Sequence, residues 1–462
     1  MMPRLIIHGG MIMTFINEAY EALKVEEADI LIEGGEIKEI NRGIAVEADD
    51  RVIDATGKLI IPGLINAHNH CLTTAVCRGM TDDYNRERYG GSALYSRVFP
   101  LKRIALTRLA REELSDLLRL TLAEMINSGT TAVVEQCTGQ ELEIFIELAA
   151  ALGLRAGIAP MFTSGEHLPE VSADGKIETG VNAAQFKALE DNVRLFEQYN
   201  GVAEGRISIW LGPHAPDSCS AELLKEVRRA ADASGMRIMT HLAQTRVEMA
   251  KIKECFAATP TEYLERLGFL GPDVVAAHAL FTDAADREII KANGVSIAHC
   301  PQVFAKGGML APFQPFKEME INVALGTDSY AVDALAEMRM AALMGKLQTS
   351  NAHSVSATDA FFAATVGGAI AFARNDIGRI APGLRADLAI LNFCRPHIQP
   401  VVFPVINLVY HALSSDVEYV IIDGKVVKEG DRIFGLEQAE MMEKAARVID
   451  KVWGFAREGG VI

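Results

Sequence analysis

The feature that most constrains this chain is an eightfold alternation of short β-branched runs with helical segments, spread from residue 59 to residue 381. The runs begin with Leu59-Ile60-Ile61 and Leu64-Ile65, interrupted by Pro62-Gly63, and continue with Thr130 to Glu135, Arg155 to Met161 and Arg206 to Leu211. Met236 to His241, Val274 to His278, Val295 to His299 and Asn322 to Thr327 complete the set. Between them, stretches such as Arg111 to Asn127, Ala221 to Ser234 and Ala285 to Asn293 carry apolar residues at helical spacing. Strands alternating with helices predict an α/β architecture, a (β/α)8 TIM barrel over 59–381, with its site at the carboxyl ends of the strands.

The flanks have a different grammar. Residues 1–58 hold short alternating runs (Leu5 to His8, Ala28 to Ile32, Glu36 to Ile40, Arg51 to Asp54) separated by Gly-Gly and similar turns. Residues 382–435 repeat it with Ala386 to Asn392, Val417 to Ile422 and, after Asp423-Gly424, Lys425 to Lys428. Each is too small to bury a core alone, so the two are expected to pair into one small β-sandwich. Residues 436–462 read as a C-terminal helix packed outside, with Trp453 as a packing anchor. Two long polar loops, Met80 to Lys102 and Thr163 to Gly180, read either as lids or as passive surface excursions.

Polar residues with metal-binding chemistry gather at the predicted strand ends. His68 and His70 close the first run, and alternation along a strand sends both to one side. His241, His278 and His299 end later runs, and Asp328 follows the last. Any one histidine at the end of an apolar strand has a structural explanation. The set, at one mouth of a barrel, reads as a metal site.

A net charge of −16 excludes recognition of nucleic acid by phosphate neutralisation, and a small-molecule substrate is the simpler expectation. No apolar run reaches membrane-spanning length, and the apolar start is broken too early by Gly9-Gly10 to be a signal peptide. The 7 cysteines are scattered without a Cys-x-x-Cys pair, which suits reduced thiols and a cytoplasmic location.

The order of motifs resembles the amidohydrolase superfamily. Pro62-Gly63-Leu64-Ile65-Asn66 leads to His68 and His70. Then come Thr240-His241-Leu242, Ala276-Ala277-His278-Ala279, Ala298-His299-Cys300-Pro301 and Gly326-Thr327-Asp328-Ser329. The final motif runs from Gly378 to Ala389, so the likeness covers nearly the whole chain. It is most similar to the branch of triazine hydrolases, cytosine deaminases and adenosylhomocysteine deaminases; Gly212 to Pro216 and Cys219 to Leu224 also resemble the deaminases. The resemblance implies that His68, His70, His241 and Asp328 bind one divalent metal, zinc first, with iron, cobalt or manganese as alternatives. It implies that Asp328 also accepts a proton from water, that His278 orients the attack, and that His214 and His299 contact substrate. No carboxylated lysine is expected, and a homodimer or larger homo-oligomer is expected on base rates.

One position departs from the pattern. Deaminase-like members carry a proton-shuttling Glu three residues after the strand-five His; this chain has Gln244, which donates hydrogen bonds but transfers no proton. Gln244 is therefore assigned both a catalytic and a substrate-contact position. Glu248, one turn further on, reads either as a substitute for the shuttle or as a solvated helix carboxylate, the second being preferred. Asp217-Ser218 stands where homocysteine-type deaminases show Tyr-Thr, which tells against that nucleoside. The expectation is a mononuclear metal-dependent hydrolase of non-peptide C–N bonds in an amide-, urea-, carbamate- or amidine-like molecule. Deamination or dechlorination of a triazine, purine or pyrimidine ring is the alternative, and a catalytically silent metabolite-binding barrel is a third.

Overall fold

The computed structural model describes residues 4–17, 23–80, 93–165, 170–171, 177–178, 181–182 and 185–461. The eight runs read from the sequence are strands. Leu64–Asn69, Thr130–Glu135, Arg155–Ile158 and Ile207–Ile209 form one parallel four-stranded sheet, and Ile238–Leu242, Val274–His278, Ser296–His299 and Val323–Leu325 form another. Parallel bridges join the sheets at both seams, Leu211 to Ile238 and Asn69 to Asp328. The strands thus follow one another in a ring, the α/β TIM-barrel order, with helices such as Arg111–Asn127 and Ala221–Ser234 between them.

Small residues make this ring possible. Ala67, Ala132, Ala277, Ala298 and Ala324 fill the buried interior with Ile65, Val134, Met239 and Val275, so parallel strands close without overpacking. A much larger core of Leu, Ile, Val and Phe lies between strands and helices. Each strand is therefore buried on both faces, which explains why its sequence is a continuous apolar run rather than an alternating one.

The run Leu59 to Ile65 is two strands, not one. Lys58–Pro62 belongs to a nine-stranded sheet built from both ends of the chain, antiparallel to Leu388–Asn392 and parallel to Leu5–Phe15. Pro62-Gly63 is the crossing, and Leu64–Asn69 enters the ring. A side chain at Gly63 would collide with Thr131, so the close approach requires glycine. The sheet has its own core, including Ile7, Ile30, Ile60, Leu388, Ile390 and Ile421.

Arg155, on the third strand of the ring, ties the two parts together. Its Nε donates to Asp387 at 2.5 Å and its guanidinium also pairs with Asp423. The C-terminal helix spans Gln438–Glu458, and Trp453 donates its Nε1–H to the Val76 carbonyl at 3.0 Å, the anchoring role expected of it. Of the two long loops, 81–92 and most of 166–180 lie outside the described residues. The expected loop Met80 to Lys102 is helical in its later part: a π-turn at Leu94–Val98 leads into the helix Phe99–Arg108. No helix among the described residues is long and apolar enough to cross a membrane.

Candidate metal centre

The ring brings His68, His70, His241, His278 and Asp328 to one point. Ligand atoms of His68, His241 and His278 lie within 4.8 Å of one another, as do those of His68, His70 and Asp328. His70 Nε2 is 3.8 Å from Asp328 Oδ1, and His278 Nε2 is 3.7 Å from Asp328 Oδ2. His68 lies within the first strand, while His70 follows it as the residue that opens the helix Cys71–Cys77. Their rings are 4.8 Å apart. His278 and Asp328 both adopt positive φ, +79° and +58°, at the ends of their strands. Non-glycine residues held in that region mark strain that the surroundings must enforce, as at functional sites.

The hydrogen bonds around the histidines fix what they can do. His70 Nδ1 is 2.7 Å from the Gln136 carbonyl and His241 Nδ1 is 2.7 Å from the His214 carbonyl. A carbonyl only accepts, so both protons sit on Nδ1 and both Nε2 atoms carry lone pairs. Those two Nε2 atoms face each other at 3.3 Å, a repulsive contact that a cation between them relieves. Among the described residues neither ring nitrogen of His68 or His278 has a hydrogen-bond partner, although both residues are fully buried. Burial lowers the pKa of every ring in the cluster, that of His241 to about 4, so all stay neutral and available as ligands. Burial also raises Asp328 to about 7, a position that a bound cation would reverse. Neutral imidazoles, one carboxylate and facing lone pairs fit a single divalent metal ion.

A cavity with about 330 Å³ of open space adjoins the cluster. His70, His241 and Asp328 form its metal-facing wall; Thr73, Lys102, His214, Gln244 and Ser329 add polar groups, and Leu94, Val98, Phe99 and Met161 the apolar side. Gln244 and His214 thus both line the cavity beside the cluster. His214 Nδ1 is 2.7 Å from Ser218 Oγ. His299 is buried against Phe313, ring centroids 5.1 Å apart, and lies outside the cavity wall. His278 also lies behind that wall, beside Asp328.

Glu248 corrects the expectation of a solvated carboxylate. It is 2% exposed, and its two oxygens accept the backbone N–H groups of Ala243 at 2.8 Å and Gln244 at 2.7 Å. Burial, with the neighbouring Asp217, raises it to about 8, and burial raises Asp217 to about 6. Thr245 caps the same helix by accepting the Glu248 N–H at 3.0 Å. Other contributors gave no sequence signal. Glu135 accepts from Asn69 Nδ2 at 2.5 Å and from the Cys71 N–H at 2.7 Å, bracing the segment that holds His70. Asn66 Nδ2 donates to Thr327 Oγ1 at 2.7 Å, locking the first strand to the residue before Asp328. Lys102 reaches the cavity from its helix and pairs with Glu141 at 2.7 Å.

Comparisons with known proteins give the chain's family and support its fold. The amidohydrolase family model matches residues 59–427. The chain is 33% identical over 454 residues to a 5-methylthioadenosine/S-adenosylhomocysteine deaminase of Pelotomaculum thermopropionicum, covering 96% of this chain and 98% of the relative. It is 32% identical to a 5'-deoxyadenosine deaminase of Methanosarcina mazei, covering 98% and 99%. Among solved structures, a zinc-bound adenosine deaminase from Xanthomonas campestris superposes with a TM-score of 0.85 at 24% identity, covering 97% of this chain and 98% of that one. The zinc complex of atrazine chlorohydrolase from Arthrobacter aurescens superposes with a TM-score of 0.84 at 23% identity, covering 96% and 100%. The chain belongs to the amidohydrolase family, and its relatives named as deaminases hydrolyse C–N bonds of small molecules.

Proposed function

We propose that this protein is a mononuclear, zinc-dependent aminohydrolase that releases an amino group from a nitrogen-rich ring. The observation that carries the reading is the convergence of His68, His70, His241 and Asp328 beside a cavity, in a chain whose relatives are named as deaminases. In the sequence alone this activity stood as the alternative to amide-type cleavage; the relatives move it forward. The four residues would hold the ion, which supplies Lewis acidity and lowers the pKa of water toward neutrality. Zinc is chosen because neighbouring structures of the same fold hold it.

The chain's own groups divide the remaining work. Asp328 takes a proton from the attacking water and returns it to the departing nitrogen. His278, 3.7 Å from Asp328, orients the attack and polarises the group under it. His214 and Gln244 contact the ring, with Gln244 donating a hydrogen bond. His299 acts from behind His278, and its contact with substrate requires a ligand that reaches past the cavity wall.

A second reading keeps its support from one residue. Gln244 lines the cavity and its amide transfers no proton, so a substrate that needs no ring protonation, an amide or urea, suits it better. A panel of ring amines, chloro-ring compounds and amides, given to metal-replete enzyme with ammonia, chloride, amine and acid assayed, separates the readings. Ammonia from a ring amine supports the first; amine and acid release with no ring deamination overturns it. Failure to take up metal, with no turnover at all, favours the silent barrel.

The finer architecture belongs to the same proposal. The eight strands, from Leu64 on, form a closed barrel ending near 381, and the nine-stranded sheet, with its separate core, folds as a small sandwich from the N-terminal part through Pro62 and from 382–435. All of the cysteines are free, which supports a reducing, cytoplasmic setting.

A further inference from the structure

Lys102 is the one cationic side chain in the cavity wall among the described residues, and it is 2% exposed. A lysine this buried needs a counter-charge, and Glu141 supplies it at 2.7 Å. Glu141 is itself 1% exposed and lies outside the cavity wall. Its Oε1 is further fixed by the Thr138 N–H at 2.5 Å and the Thr138 hydroxyl at 3.2 Å. The carboxylate therefore pairs with the ammonium from outside the wall to which Lys102 contributes. An ammonium has three N–H donors, and Glu141 is its one partner among the described residues. Among the described residues the only carboxylate in the wall is Asp328, which belongs to the metal cluster.

We propose that Lys102 is a specificity-determining residue that selects substrates carrying a carboxylate beside the scissile C–N bond. This rests on the reading of the cluster as a hydrolytic metal centre, which locates the reacting carbon near His70, His241 and Asp328. A divalent ion with one carboxylate ligand keeps excess positive charge, so a monoanionic substrate is matched by the ion at one end and Lys102 at the other. The apolar lining beside Lys102 on the same helical stretch, Leu94, Val98 and Phe99, together with Met161, suits the apolar or ring portion of the same molecule. A neutral nucleoside leaves Lys102 facing no acceptor, a costly way to fill a dry pocket.

Binding of benzoate and of benzamide, measured by calorimetry on both metal-free and zinc-loaded protein, tests this without turnover. The parent is expected to bind benzoate at least about tenfold more tightly than benzamide in both forms, the fold-change of a single charge-assisted contact. In metal-free Lys102→Gln/Glu141→Gln, which removes both charges together and leaves no orphan, that preference is expected to vanish while benzamide affinity holds. Metal-free Lys102→Arg is expected to keep the preference, and it serves where the double variant does not fold. Equal binding of the two ligands by metal-free parent protein overturns the proposal, as does a preference that survives in the metal-free double variant or disappears in metal-free Lys102→Arg. Zinc content separates this from the underlying reading: a benzoate preference in protein that takes up no metal sustains the Lys102 site and removes the hydrolytic centre.

Discussion

Glu248 holds Gln244 by the backbone: the carboxylate Oε2 accepts the Gln244 N–H at 2.7 Å, and Oε1 accepts the N–H of Ala243 at 2.8 Å. Ala243 sits at a φ of +48°, so the chain turns sharply after the strand that carries His241 and delivers Gln244 to the cavity wall. One buried carboxyl group accepting two successive N–H groups makes this turn a fixed part of the site. The residue that distinguishes this chain from the shuttle-bearing deaminases is thus displayed deliberately and held in place.

Gln244→Glu is expected to change what the enzyme does more than what it holds. A carboxylate there can pass a proton to a ring nitrogen, and general acid–base groups contribute about 10²–10⁴-fold. Ring-amine turnover should rise by at least about tenfold, with zinc content unchanged by metal analysis. Identical kinetics on every substrate would show the position to be a bystander.

On the proposed ligand set, His241→Ala and Asp328→Ala each remove a ligand. Loss of metal affinity should exceed the roughly 10–100-fold typical of residues that only support ligands. Turnover should fall to background in both. In the parent, free zinc at ~1,000 times Kd should add about 4 kcal/mol of stability, read as a higher Tm than in chelated protein. Both variants should lose most of that increment. A variant that keeps full zinc occupancy would remove that residue from the ligand set.

Much of this site was legible because its parts sit where sequence patterns are strongest. His241, His278 and His299 end β-branched runs, and strand ends are what such runs define best. Pro62-Gly63 was visible only as an interruption; that it passes the chain between two sheets depends on Thr131, distant in sequence. Lys102 and Glu141 lie on helices away from every histidine motif, and their pairing is a product of the ring alone. Glu248 follows a good cap and looks solvated; its burial is set by Asp217 and the turn above it, which no local pattern encodes.

Asp387, within the closing motif, has a mechanical role. It accepts from Arg155 Nε at 2.5 Å and from the Asp423 N–H at 2.8 Å, with both carboxylate and guanidinium almost fully buried. Arg155→Met should cost about 3–5 kcal/mol, because it leaves Asp387 buried without its cation. Arg155→Met/Asp387→Leu should recover a large part of the loss. Urea unfolding checks both: the midpoint should fall in the single variant and rise again in the double one.

The Asp217–Glu248 pair makes stability depend on pH in a defined direction. Burial raises Glu248 to about 8 from 4.5 and Asp217 to about 6 from 3.8, with Tyr95 and Lys251 the other titratable groups that face them. The folded state therefore holds protons that the unfolded chain has released, so this contribution is complete below about pH 4 and is lost as pH rises toward about 8. Glu248→Gln cannot titrate, and it leaves one backbone N–H facing an amide NH2, a cost of about 1–3 kcal/mol. The parent should be more stable than this variant at about pH 5, and the gap should narrow steadily toward about pH 8. Thermal unfolding across that range measures it; a constant gap would show that Glu248 ionises like an ordinary surface carboxylate.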